Sequence, residues 1–194
     1  DFCLSRGLGD VYKRQAPNPY FLYVGRLAPE KNIACLIQAF SKYRAYGGQW
    51  SLVLVGDGPC LTDLGRQAAN LGCSDYICFA GQKTSDQLIS YYADAACFVL
   101  PSTREPWGLV VNEAMAAGLP IIASSRCGCT DDLIEEDANG YTFDPTVVTQ
   151  LMELLIKISR LSERRRLEMG AHSRSLISRY SLDTWAKGIA KVLA

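Results

Sequence analysis

The run Cys97-Phe98-Val99-Leu100 is apolar throughout and stops at Pro101-Ser102-Thr103. It reads as a buried strand, because proline cannot continue a hydrogen-bonded ladder. A polar loop carrying Arg104, Glu105 and Trp107 follows. From Gly108 the period changes: Leu109, Val110, Glu113, Ala114 and Ala117 suit a helix packed on a sheet. Gly118 and Pro120 stop that helix, and Ile121-Ile122-Ala123 opens another strand. Strand, loop, helix and strand in succession make a parallel pair with a crossover. The helix N-terminus then opens just beyond a strand's carboxyl end, where open α/β sheets bind ligands. Glu105 and Glu113 flank that N-terminus.

The same alternation runs along the chain. Tyr20 to Val24 is a β-rich run ending at Gly25-Arg26, and a loop over 27–32 leads into a helix of roughly 33–46, stopped by Gly47-Gly48. Trp50 to Val55 is a second strand, closed by Gly56-Asp57-Gly58-Pro59, and a helix of about 61–71 ends at Gly72. Tyr76 to Phe79 is a third strand, after which Thr84 or Ser85 can cap a helix reaching about Ala93. After a strand over 119–123 come the loop Cys127-Gly128-Cys129, a short helix near Asp131 to Ile134, an Asn139-Gly140 turn and the strand Tyr141-Thr142-Phe143. The tail from about Thr146 is helical, with breaks near Ser162 and Ser181. The expected fold is α/β: a Rossmann-like parallel sheet with helices on both faces, in one domain over residues 18–194. Residues 1–17 fit neither period and carry no signal-peptide core. Their string S-R-G-L-G-D-V-Y-K-R-Q resembles a translated sequencing adapter. They are set aside as a non-native or disordered leader, which makes the chain a carboxyl-terminal piece of a longer protein.

Composition narrows the partners. Twenty basic and 20 acidic residues in 194 give no bulk attraction to nucleic acid or to a membrane surface. No apolar run is long enough to span a bilayer. The eight cysteines include no C-x-x-C and several sit inside apolar patterns, which fits reduced, buried thiols in a cytoplasmic protein. A peripheral place at the inner membrane face is compatible with the same composition. Cys127 and Cys129 are too few for zinc, and Asp131, Asp132, Glu135, Glu136 and Asp137 read as a solvated helix start and turn rather than a metal site. Arg164-Arg165-Arg166 reads as an exposed helix face with a weak membrane or partner preference. Trp107 reads as a packing residue, and His172, the one histidine, receives no role.

The chemistry gathers at the strand ends. Gly25, Arg26 and Lys31 follow the first strand, Gly56 and Gly58 the second, and Glu105, Gly108 and Glu113 the fourth. In a parallel sheet these loops share one edge. Two cations beside a helix N-terminus make an anion site. Helix-end amides favour phosphate by about 0.3–1 kcal/mol, and each charge-assisted bond from Arg26 or Lys31 adds about 1.5–3 kcal/mol. Carboxylates would repel a phosphate, so Glu105 and Glu113 are expected to face neutral hydroxyls such as those of sugar rings. The combination points to a nucleotide-sugar. Gly56 and Gly58 are half of a dinucleotide fingerprint, but its third glycine is replaced by Leu61, so a tight turn is the better reading. Competing readings make Arg26 and Lys31 solvated surface charges and pair Glu105 with Arg104.

Three ordered segments, Y-V-G-R-L-A-P-E-K-N, L-V-L-V-G-D-G-P and P-S-T-R-E-P-W-G-L-V-V-N-E-A-M-A-A-G-L-P, resemble the carboxyl-terminal, donor-binding domain of GT-B fold, family-4-type (group 1) glycosyltransferases. Glu105 and Glu113 fit that family's E-x7-E pair. The resemblance implies one half of a GT-B architecture. It implies retaining transfer of a sugar from a nucleotide-diphosphate donor to an unknown saccharide or lipid acceptor, with no metal and no cofactor beyond that co-substrate. Arg26 and Lys31 match the cations that hold the diphosphate and stabilise it as leaving group, and Glu105 matches the acid near the transferred sugar. Glu113 matches the acid that binds the ribose hydroxyls. The amides around Gly108 and Leu109 would face the phosphates, with Gly25 and Gly56 in the donor loops. The missing partner would be an N-terminal acceptor domain, so this chain alone is expected to bind nucleotide but transfer little sugar. Cys127-Gly128-Cys129 departs from the Gly-Gly of many relatives and leaves the sugar's identity open. A GT-B sugar-nucleotide epimerase and a non-catalytic nucleotide-binding module remain as alternatives, with an NAD-dependent dehydrogenase behind them.

Overall fold

Strands and helices alternate as the pattern requires. The computed structural model describes residues 19–180. Strands β1 (Tyr20–Val24), β2 (Ser51–Val55), β3 (Ile77–Gly81), β4 (Cys97–Leu100), β5 (Ile121–Ser124) and β6 (Gly140–Phe143) form one parallel sheet, ordered β3-β2-β1-β4-β5-β6. The helices are α1 (Ile33–Ala45), α2 (Leu61–Asn70), α3 (Ser85–Asp94), α4 (Leu109–Ala116), α5 (Thr130–Leu133), α6 (Val148–Arg160) and α7 (Glu163–Ile177). The leader at 1–17 and the break near Ser181 lie outside the described residues.

The central strands are buried on both sides, which is why they contain no alternation. All five residues of β1 and all four of β4 are buried. Leu22 of β1 lies in register with Val53 on one side and Phe98 on the other. Phe21 anchors an aromatic cluster, edge-on to Tyr43 at 5.4 Å and tilted on Trp50 at 4.8 Å. The Tyr43 hydroxyl accepts the Trp50 backbone N–H at 3.0 Å, so this buried phenol is satisfied.

From β1 the chain winds outward to β3, then returns to β4 and winds the other way to β6. Right-handed crossovers in opposite directions set α1 and α2 on one face and α4 and α5 on the other. Helix α6 packs on α1, and α7 packs on α4 and α5.

One expectation fails in phase. Helix α4 buries Val111, Ala114 and Met115 and packs Val110 and Ala117 half-buried against the core, so of the anticipated face only Leu109, 68% exposed, and Glu113, also exposed, turn away. The run Leu109-Val110-Val111-Asn112-Glu113-Ala114-Met115-Ala116-Ala117 is apolar on nearly every side, so periodicity alone could not choose the buried face. The following strand starts at Ile121 rather than Leu119, because Pro120 has no N–H for the ladder; its carbonyl accepts the Phe98 N–H at 3.0 Å.

Candidate functional site

The winding reverses between β1 and β4, where an open α/β sheet places its ligand crevice, outside the carboxyl ends and among the loops that leave them. Side chains and backbone staple these loops together. The buried Tyr23 hydroxyl donates to the Arg26 carbonyl at 2.9 Å. The Leu27 N–H reaches the Asp57 carbonyl at 2.9 Å, joining the loops after β1 and β2. Asn32, in the left-handed region at φ 56°, donates from its amide to the carbonyls of Pro101 at 3.2 Å and Pro145 at 3.0 Å. The Thr103 N–H donates to the Glu30 carbonyl at 2.9 Å. Gly56 has φ 137°, and a Cβ there would sit 1.9 Å from the Gly25 carbonyl oxygen, so the approach of these two loops requires glycine.

Lys31 and Glu105 meet across this junction. The ammonium donates to Glu105 Oε2 in a close ion pair, with the side chains 21% and 12% exposed. Fully buried Ser102 donates to the same oxygen at 3.5 Å. The partner of Glu105 is therefore Lys31 and not Arg104. The Glu105 backbone is clamped as well: it forms an isolated parallel bridge with Cys127, and its carbonyl accepts the Gly128 N–H at 3.0 Å. The Cys-Gly-Cys loop thus braces the acid. Burial pushes the Cys127 thiol up to about 12, with Cys129 and the Glu105 carboxylate adding to the effect and Lys31 opposing it. Burial likewise pushes Cys129 up to about 11, with Glu105 and Asp132 reinforcing the rise. Burial, then the charges of Glu105 and Glu30, raises the Tyr23 hydroxyl well above the ordinary phenol range.

Helix α4 starts beside this pair. Its N-cap is Gly108 at φ 98°, and neither a side-chain cap nor an acidic residue stands in its first turn. That differs from α3, where Thr84 and Gln87 form a reciprocal capping box. First-turn N–H groups without a side-chain acceptor suit an anion. Glu113 lies further along α4, where its Oε2 accepts the Tyr92 hydroxyl at 2.7 Å. Burial and the Glu113 carboxylate together raise that phenol far above its ordinary value.

A cavity of about 410 Å³ opens on the same edge, lined by Val24, Gly25, Arg26, Val55, Gly56, Asp57, Gln82, Lys83 and Leu88. The anticipated residues therefore fall into three places. Gly25, Arg26 and Gly56 line the cavity; Lys31, Glu105 and Gly108 cluster at the crevice; Glu113 stands apart on α4, tied to Tyr92. Leu109 is exposed at the helix start. Lys31 and Glu105, anticipated to face a phosphate and neutral hydroxyls respectively, are paired with each other. Arg26 is exposed and forms no ion pair among the described residues. Gln82, Lys83, Asn32 and Tyr92 were not singled out from sequence. Only the first two left a signal, a polar pair directly after the strand-ending Gly81.

Residues 10–176 match the family described as glycosyl transferases group 1. The chain belongs to that family. It is 38% identical over 144 residues to the alpha-monoglucosyldiacylglycerol synthase of Streptococcus pneumoniae, covering 73% of this chain and 32% of that protein. Sucrose-phosphate synthase from Thermosynechococcus elongatus superposes with a TM-score of 0.81 at 26% identity, covering 97% of this chain and 48% of that one. The pneumococcal O-GlcNAc transferase GtfA, solved with UDP and GlcNAc, gives a TM-score of 0.76 at 27% identity over 92% of this chain and 36% of that one. This group 1 glycosyl transferase chain covers 32% to 48% of the length of these proteins.

Charged groups away from the crevice serve the fold of this glycosyl transferase chain. Arg164 and Arg165 pair with Glu168, Arg165 also donates to the Asp137 carbonyl at 2.8 Å, and Arg166 lies over the Trp50 ring at 4.9 Å. The run lies on the helix surface, with the Arg164 side chain 90% exposed, and its charges meet partners within the chain. Glu135 contacts His172 at 2.6 Å, Glu136 accepts from Thr142, and Asp137 accepts from Lys157 and Tyr141. Trp107 is half-buried and donates to Asn112 at 3.1 Å. Six of the seven described cysteines are buried, and Cys60 is half-buried. No helix among the described residues is long and apolar enough to cross a membrane.

Proposed function

We propose that this chain is the donor-binding half of a two-domain GT-B glycosyltransferase that uses a nucleotide-diphosphate sugar. The observation that carries the reading is the uncapped start of α4 beside the Lys31–Glu105 pair, at the point where the sheet's winding reverses. The UDP held by the pneumococcal relative supports the ligand class. In this reading the diphosphate lies against the first-turn amides of α4, near Gly108 and Leu109, with Arg26 as its unpaired cation. Lys31, already positioned by Glu105, shares its remaining protons with the phosphates. As the bond to the sugar breaks, negative charge grows on the leaving diphosphate, and these fixed charges and dipoles stabilise it. That charge set is the physical basis for proposing transfer without a metal; retention is proposed from the family resemblance alone.

Glu105 would border the transferred sugar and Glu113 would accept the ribose hydroxyls. The cavity bounded by Gly56, Gln82 and Lys83 has room for the base. An N-terminal half would complete the cleft and bring a saccharide or lipid acceptor, so this chain alone is expected to bind nucleotide and transfer little sugar. The buried free thiols of Cys35, Cys73, Cys97, Cys127 and Cys129 support a reducing, cytoplasmic setting, and the diacylglycerol named for the S. pneumoniae relative supports work at the inner membrane face.

Calorimetric titration with UDP, GDP, ADP and uridine tests this. At least one diphosphate should bind, and Arg26→Ala should weaken it tenfold or more while leaving nucleoside binding unchanged. A folded chain that binds none of the three, or an equal loss for diphosphate and nucleoside, overturns the assignment.

A further inference from the structure

We infer that Tyr92 is a positioning residue that holds the Glu113 carboxylate ready for the two neighbouring hydroxyls of a ribose ring. This deepens the donor reading above and rests on it. Tyr92 stands in the last turn of α3, buried, with its ring 6.1 Å from that of Phe98 on β4. Packing alone would be met by phenylalanine. The hydroxyl needs a partner once buried, and it finds Glu113 Oε2 at 2.7 Å, 21 residues further along the chain.

Glu113 is otherwise exposed, and Tyr92 supplies the one side-chain hydrogen bond to its carboxylate among the described residues. An exposed glutamate would sample many rotamers and lose that freedom whenever a ligand engaged it. Anchoring one oxygen to a buried ring moves that ordering from the binding step to folding, which is preorganisation. The anchor leaves Oε1 and a second lone pair on Oε2 to accept hydrogen bonds, since a carboxylate offers about four acceptor positions. Two adjacent ribose O–H groups are donors that match them. Tyr92 touches no ligand in this account and acts through Glu113 alone.

The test compares UDP, GDP and ADP with their 2′,3′-dideoxy analogues, titrated calorimetrically into the wild-type chain and Tyr92→Phe. Tyr92→Phe should weaken the diphosphate that binds about tenfold and its dideoxy analogue less than twofold. The ratio of the two affinities is taken within one preparation, so any unfolded fraction cancels. In a Glu113→Ala background, adding Tyr92→Phe should leave that ratio unchanged. Equal weakening of both ligands, no weakening of either, or an effect that persists without Glu113 overturns the role of Tyr92. A folded wild-type chain that binds none of UDP, GDP and ADP overturns the donor reading, and this inference with it, and is a result distinct from the other three.

Discussion

Lys31 and Glu105 hold opposite charges in surroundings where each side chain keeps little of its hydration, at 21% and 12% exposure. Removing the ammonium alone leaves the carboxylate with Ser102 at 3.5 Å as its remaining side-chain partner. Lys31→Ala should therefore destabilise the fold by about 1–3 kcal/mol. Lys31→Ala combined with Glu105→Gln should recover part of that, because no unpaired charge remains. Urea unfolding checks it, and strictly additive losses contradict it. The residue types at this edge were legible in the sequence; their pairing was not. Lys31 and Glu105 are separated by 74 positions and meet only because β1 and β4 are neighbours in the sheet. Arg104, adjacent to Glu105 in the chain, was the nearer candidate on paper.

At the scale of elements, the loop between β1 and α1 depends on Asn32. Its left-handed backbone costs an ordinary side chain about 1–2 kcal/mol, and its amide bonds to Pro101 and Pro145 each contribute about 1 kcal/mol. Asn32→Ala should lose about 2–4 kcal/mol. Asn32→Gly, which accepts the backbone angle but not the bonds, should lose about 1 kcal/mol less. Chemical denaturation of the two variants checks the order, and Asn32→Gly being the worse of the pair contradicts it. The element boundaries could be read from the chain because glycines stop the helices and apolar runs mark buried strands. The phase of α4 could not, since a helix apolar on most sides takes its buried face from the sheet it meets. Asn32 was hidden for a similar reason: its partners come from loops after β4 and β6.

The whole molecule carries a pH signature on the alkaline side. Burial raises Tyr23, Tyr92 and Cys97, and pushes Cys129 to about 11 and Cys127 to about 12. The folded chain holds these protons more tightly than the unfolded chain. Their stabilising effect is complete below the ordinary thiol value of about 8.5 and is lost as pH rises through the folded values. Tm should hold steady up to about pH 8 and fall progressively between about pH 9 and 12; a flat profile across that window contradicts the burial of these groups.

The topology that buries those groups also sets the loops after β1, β2 and β4 on one edge, and the central claim is that a nucleotide diphosphate sits there. Hydrogen exchange read by mass spectrometry, with and without saturating UDP, GDP or ADP, tests it most directly. The account predicts slowed exchange in peptides over 24–32 and 105–112, and no change in α6 and α7. Protection confined to α6 and α7, or none anywhere at saturating nucleotide, would contradict it.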